Sequence, residues 1–276
     1  RQLKQAGYRP DTIIAHPGWG EALFCKDIWP QAKLVIFSEW FYSTTGADTN
    51  FDPEFADDDD EQTAMNVRLK NTVHLHAYHA ADAIFAPTQW QKNQVPAPYR
   101  SKVRVIPDYI DTRAVRPNPK ASISLHKAKQ TFKVGDEVIT FVNRNLEPYR
   151  GFHVFMRALP DILQARPHAH AILVGGESVS YGKKHPSGQS WKNILLQEVG
   201  ARLPLERVHF VGKVPYSAYL HLLQVSACHV YLTYPFVLSW SCLEAMTAGC
   251  AMVASSTPPV QEFIKNNTNG LLVDFF

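Results

Sequence analysis

The chain has 276 residues and is 45% hydrophobic, enough to bury a substantial core, and its length favours two domains over one. Its 28 basic and 25 acidic residues leave a formal charge of +3, too even a balance for a protein that works by neutralising phosphates, which excludes a nucleic-acid partner. Four dispersed cysteines without a CxxC pair (Cys25, Cys228, Cys242 and Cys250) exclude a disulfide framework or a zinc centre and favour reduced, buried thiols in a cytoplasmic protein.

The chain opens on RQLKQAGYRP, which reads as the middle of a helix, without a signal peptide, and no apolar run reaches the ~20 residues of a membrane-spanning helix. Apolar, β-branched runs then recur, each followed by a stretch that can be helical: TIIAH (12–16), KLVIFSEW (33–40), AIFAPT (83–88) and VRVIPDY (103–109). The series resumes with VITFVNR (138–144), HAILVGG (170–176), RVHFVG (207–212), CHVYLTY (228–234), AMVAS (251–255) and GLLVDF (270–275). Near-continuous apolar strands alternating with helices predict parallel sheets covered on both faces, the doubly wound α/β architecture. The Pro-, Lys- and Ser-rich stretch 112–137 separates the two series, so the domains are placed at 1–114 and 115–276. The first has only four strands and reads as incomplete at its start, and the closing GLLVDFF reads as the middle or end of a strand, so the chain reads as a fragment.

In such sheets ligands gather at the carboxyl ends of strands. There stand His16, at the end of TIIAH, and Glu39, after KLVIFS. Arg144 leaves the first strand of the second domain, and Arg150 and Gly151 open the next helix; two guanidiniums and a helix N-terminus suit a diphosphate. Gly175 and Gly176 follow a strand and let backbone approach a ligand, although the dinucleotide fingerprint is missing. Ser241 and Glu244 have capping-box spacing, which explains the glutamate structurally; the same place would let its carboxylate accept from ribose hydroxyls. Thr88 and Gln91 repeat that spacing as a cap. FDPEFADDDDE (51–61) reads as a solvated acidic loop without the glycine of a calcium loop, and His74, His76 and His79 lack the spacing of a helical metal pair.

Together these pieces resemble the family 4, or group 1, glycosyltransferases of the GT-B fold, over nearly the whole chain. The matching motifs are Asp11 to His16 for D-x-x-x-x-H, FAPT (85–88) for F-x-P-[ST], and VIPDYID (105–111) for V-I-P-N-G-[IV]-D. Asn143, Arg144, Arg150 and Gly151 match G-R-…-K-G with one extra residue and Arg for Lys, VHFVG (208–212) matches V-x-F-x-G, and LEAMTAGCAMVAS (243–255) matches the second half of the two-glutamate signature. Glu244 takes the second glutamate's place, whereas the first falls on Phe236, and Val237 and Ser239 replace the glycines behind it.

The resemblance implies two Rossmann-like domains facing across a cleft, an acceptor-side first domain and a nucleotide-sugar-binding second one. It implies a retaining, metal-independent transferase for polysaccharide or lipopolysaccharide biosynthesis, with a nucleotide-sugar as substrate, no cofactor, and a glycan or lipid-linked acceptor. Its implied place is the cytoplasm, with peripheral association at the inner face of the membrane. Arg144 and Arg150 would neutralise the departing diphosphate, His16 would reach the donor sugar, Glu244 would bind ribose, and Phe236, Val237, Leu238, Ser239, Gly175 and Gly176 would line the donor. Two other readings are a non-catalytic protein of the same fold that binds a nucleotide-sugar or glycan, and a nucleotide-sugar epimerase.

Overall fold

The computed structural model describes residues 1–126 and 128–276. The chain divides into two compact units, Arg1–Asp108 with Pro235–Val237, and Tyr109–Tyr234 with Leu238–Phe276.

The first unit runs α1 (Gln2–Gln5), β1 (Thr12–Ala15), α2 (Cys25–Ile28), β2 (Lys33–Phe37), α3 (Asp60–Ala80), β3 (Ala83–Ala86), α4 (Gln89–Gln94), α5 (Ala97–Arg100) and β4 (Val103–Val105). Its strands form one parallel sheet in the order β1-β2-β3-β4, with Thr12 opposite Lys33 and Val35 opposite Ala83. Leu34, Ile36, Ile84 and Ala86 point into the core because alternate residues of a strand share a face. The buried stripe Val67, Asn71, His74, Tyr78 along α3 has the spacing of one helical face. The α3 start differs from the expected acidic loop: Asp59 caps the helix by accepting from the Gln62 amide, Asp60 and Glu61 favour its positive end, and Asp52 is buried. His74 is also buried and donates from Nδ1 to the Lys70 carbonyl, a packing role. Thr88 caps α4 as its spacing predicts, accepting from the Gln91 amide.

The second unit opens with an antiparallel hairpin, β5 (Ser122–Leu125) and β6 (Gln130–Lys133), inside the stretch that separates the two strand series. The core elements follow: β7 (Val138–Asn145), α6 (Phe152–Ala165), β8 (His170–Gly176), α7 (Trp191–Val199), β9 (Val208–Gly212), α8 (Tyr216–Val225), β10 (Cys228–Tyr231), α9 (Trp240–Thr247), β11 (Ala251–Ser255), α10 (Pro258–Gln261) and β12 (Leu271–Val273). All six strands are parallel, in the order β12-β11-β10-β7-β8-β9. This is the doubly wound order in which the chain reverses direction between β7 and β10. The apolar face of α6 seats on the sheet, with Phe155 stacked on Phe141 at 4.7 Å.

The four cysteines are unbonded, and burial pushes the Cys242 and Cys250 thiols up to about 12, so both are inert. Among the described residues no helix is long and apolar enough to cross a membrane.

Candidate functional site

The candidate residues are held in two places, one in each unit. In the second unit they gather where β7 and β10 diverge. The register of β7 against β8 shifts between Val142 and Asn145, and a bulge of this kind re-aims side chains at a strand end. Arg144 stands there, exposed and with no ion pair or hydrogen bond among the described residues, whereas Arg150 is 4% exposed. Arg150 Nη1 donates to Thr233 Oγ1 at 2.7 Å and to the Tyr231 hydroxyl at 3.4 Å, both after or at the end of β10, and the guanidinium lies 5.1 Å from the Tyr181 ring centre. The Thr233 amide in turn donates to Ser255 Oγ at the end of β11. Arg150 therefore carries a fixed positive charge across the switch point, in surroundings that screen it little.

Gly151 follows with φ of +68°, and a β-carbon there would run into Leu232, so only glycine lets the chain turn into α6. Close approach also explains the glycines ending β8. A β-carbon on Gly175 would lie 2.9 Å from the Asn143 carbonyl oxygen, and one on Gly176 would strike Asn145 Oδ1.

Sequence reasoning missed Glu147, which is 1% exposed and organises the loop after β8. Its carboxylate accepts from the amides of Ser180 at 2.9 Å, Tyr181 at 3.3 Å and Gly182 at 2.9 Å, while Asn145 Nδ2 donates to Ser180 Oγ at 2.6 Å. Three amides around one carboxylate compensate its burial and tie that loop to the end of β7. Its only sequence signal is its place just past a strand end.

The expected capping box is not formed. α9 starts at Trp240, and its cap, two residues before Ser241, is Ser239, whose Oγ accepts from the Ser241 amide. Glu244 reaches across to α8 instead: Oε1 accepts from the Tyr216 hydroxyl and Oε2 from the Tyr219 hydroxyl, each at 2.7 Å. A phenol donating to a carboxylate resists ionisation, so the Glu244 bond pushes Tyr216 up to about 12; burial and then the same carboxylate raise Tyr219. Two hydroxyls gripping separate oxygens fix the carboxylate's plane and leave each oxygen a lone pair for another donor. Tyr216 and Tyr219, three apart on one helix, share a face that the sequence does display.

The loop before α9 is buried. Leu238 is 7% exposed, and the Ser239 amide donates to the Tyr231 hydroxyl at 2.8 Å. Phe236 and Val237 group with the first unit, where the Phe236 ring packs against Trp40 at 4.9 Å and its carbonyl accepts from Trp90 Nε1 at 3.1 Å. The Phe236 side chain thus lies buried among aromatic rings.

In the first unit, His16 ends β1 with both ring nitrogens engaged. The Gly18 amide donates to Nδ1 at 3.1 Å, so the proton sits on Nε2, which donates to Glu39 Oε2 at 3.0 Å. The Glu39 carbonyl accepts from Gln91 Nε2 at 2.6 Å, which steadies the glutamate from α4. The imidazole lies between Trp19, stacked at 4.8 Å, and Phe37, edge-on at 5.8 Å.

Comparisons with known proteins agree with this architecture. Residues 1–115 match the family model of the glycosyl transferase family 4 group, and residues 122–276 match that of the glycosyl transferases group 1. No curated protein sequence matches. Among solved structures, HepE of Anabaena in complex with UDP and glucose is 19% identical with a TM-score of 0.68, the alignment covering 99% of this chain and 66% of that one. Sucrose-phosphate synthase from Thermosynechococcus elongatus is 16% identical with a TM-score of 0.70, covering 99% and 62%. A variant of S. aureus TarM in complex with Fondaparinux, alpha-GlcNAc-glycerol and UDP is 14% identical with a TM-score of 0.65, covering 99% and 47%. The chain thus spans about half to two thirds of the length of these structures, and at such identity the likeness is one of fold, GT-B. With residues 122–276, more than half of its length, under one family model, the chain belongs to the glycosyl transferases group 1.

Proposed function

We propose that the protein is a metal-independent, retaining glycosyltransferase that moves a sugar from a nucleotide-sugar to a hydroxyl of a glycan or lipid-linked acceptor. The observation that carries this reading is Arg144, an exposed guanidinium without an acidic partner among the described residues, at the bulged end of β7 where doubly wound sheets hold their ligands. Arg144 would bind the diphosphate directly, and the buried charge of Arg150 would strengthen the field there, stabilising negative charge as it develops on the leaving group. Glu244, held by Tyr216 and Tyr219, has lone pairs to offer ribose hydroxyls. Gly175 and Gly176 would bring backbone to the diphosphate, and the backbone of Val237, Leu238 and Ser239, rather than the Phe236 ring, would meet the sugar. His16 would reach the donor sugar by exchanging the Nε2–H bond that it makes to Glu39 for one to a sugar hydroxyl, while the Gly18 amide keeps Nδ1 as the acceptor. The acceptor hydroxyl would attack from the face the phosphate leaves and pass its proton to the departing oxygen, so no protein nucleophile is needed. Assignment to polysaccharide or lipopolysaccharide assembly at the inner membrane face rests on family analogy.

UDP-glucose is the first donor to try, because HepE was solved with UDP and glucose. The wild-type protein is expected to hydrolyse or transfer from a nucleotide-sugar in the presence of EDTA, and Arg144→Ala to lose at least about 100-fold of that rate, the scale of one removed electrostatic contact, with an unchanged melting curve. Undiminished turnover in Arg144→Ala would sink the assignment. Burial of Phe236 at the place of the first glutamate in the two-glutamate signature that the chain resembles favours one second reading, a binding protein without turnover. Calorimetric donor binding with no product across an acceptor panel would select it.

A further inference from the structure

Trp19 is 79% exposed, the most exposed large apolar side chain among the described residues. A single surface tryptophan needs no explanation by itself, but this one is built into place. Gly18 lies so close to the imidazole that a β-carbon there would be 2.7 Å from His16 Cε1, and Gly20 turns the chain with φ of +88°. The Gly20 amide closes the turn on the Pro17 carbonyl at 3.1 Å, and the Trp19 amide donates to Glu21 Oε2 at 3.1 Å. The two glycines thus fold the segment Pro17–Glu21 back over His16 and lay the indole on the imidazole. Behind it the rings continue across the strand ends, His16 to Phe37 at 5.8 Å and Phe37 to Phe85 at 5.1 Å. One indole face is backed by this row, and the other is open to solvent. The carboxylates of Glu21 and Glu39 stand close by, one on the Trp19 amide and one on His16.

An exposed aromatic plate flanked by carboxylates suits a pyranose: the C–H face of the sugar would lie on the indole, and hydroxyls at its rim would donate to carboxylate oxygens. An indole left mostly in water keeps apolar surface that a stacked sugar would cover. We infer that the Pro17–Glu21 loop is a saccharide platform, with Trp19 stacking the sugar ring of the acceptor next to His16. This inference rests on the transferase reading for the word acceptor, but the saccharide site itself does not.

The test is ligand-observed NMR titration of the intact chain with lactose, cellobiose and maltose, alongside calorimetry with UDP. At least one disaccharide is expected to bind saturably, Trp19→Ala to weaken it at least about tenfold, and Trp19→Phe, which keeps an aromatic face, by no more than about threefold. Affinity for UDP should change by less than about twofold in both variants. Equal disaccharide affinity in Trp19→Ala, or no saturable binding to the wild type, would overturn the inference. So would a tryptophan emission shift, lost in Trp19→Phe, on adding phosphatidylglycerol vesicles but not sugars, which would make the loop a membrane contact. If the wild type turns over no nucleotide-sugar yet binds a disaccharide through Trp19, the function reading fails and the platform stands.

Discussion

Glu244 shows how one side chain acquires a role from groups far off in sequence. Its two tyrosine donors come from 28 and 25 residues away, so the carboxylate is already oriented before any ligand arrives. Hydrogen bonds to a charged group are worth about 1.5–3 kcal/mol each, less where water competes, as at exposed Tyr216. Replacing both hydroxyls, Tyr216→Phe with Tyr219→Phe, is therefore expected to weaken UDP binding about tenfold, as is Glu244→Gln alone. Because the tyrosines act through the glutamate, the triple variant should be little worse than Glu244→Gln, a non-additivity that a calorimetric double-mutant cycle reads directly. Losses that simply add would mean the hydroxyls serve the packing of α8 and not the carboxylate. At this scale the places of His16, Arg144 and Glu244 were legible, since each follows a recognisable strand or opens a helix. Their partners were not: Arg150 meets Thr233 across 83 residues, and no local pattern announces that.

At the scale of elements, the turn from β7 into α6 depends on Gly151 for two separable reasons, backbone handedness and contact with Leu232. Gly188 supplies the comparison, for its φ is +76° yet a β-carbon there meets nothing within 4 Å. Gly188→Ala should cost about 1 kcal/mol, the strain of a left-handed residue, whereas Gly151→Ala adds steric overlap and should cost about 3 kcal/mol or more. In thermal melts the second loss corresponds to a drop of about 6–12 °C and the first to a few degrees. Similar losses at both sites would show that the Leu232 contact relaxes freely. The strands themselves were readable because a buried parallel strand is a continuous apolar run. The β5–β6 hairpin was not, since Ile123, Leu125 and Phe132 are sparse apolar residues among Lys and Ser and read as a linker. The α9 start was misplaced because Ser239 and Ser241 offer competing caps, and the tyrosines on α8 take the glutamate that a capping box would need.

At the scale of the whole molecule, each unit has its own core, one around Leu34, Ile36, Tyr78 and Ile84 and one around Val138, Ile172, Leu222 and Ala254. The second unit contains three histidines whose pKa burial lowers: His170, His209 and, most strongly, His229, pushed down to about 4 from 6.5. The unfolded chain binds a proton at His229 below about 6.5 while the folded one does so only near 4, so between these values stability falls as pH falls. His229 alone contributes about 3 kcal/mol to this loss, at up to about 1.4 kcal/mol per pH unit. Urea unfolding of the wild type is expected to show stability rising from pH 4 to about 6.5, with a visibly smaller slope in His229→Asn. An unchanged slope would assign acid lability to other groups.

The α/β alternation, the two strand series, the positions at strand ends and the family resemblance were all present in the linear sequence, because strand burial, helix periodicity and motif spacing are local properties. Folding alone determined which polar groups meet. Glu147 became an anchor for three amides, Glu244 the acceptor of two phenols, Phe236 a buried ring against Trp40, and Trp19 an exposed plate on His16. Hydrogen bonds and ring contacts between distant residues depend on the register of strands and the turn each glycine permits, and that information exists only once the chain has closed on itself.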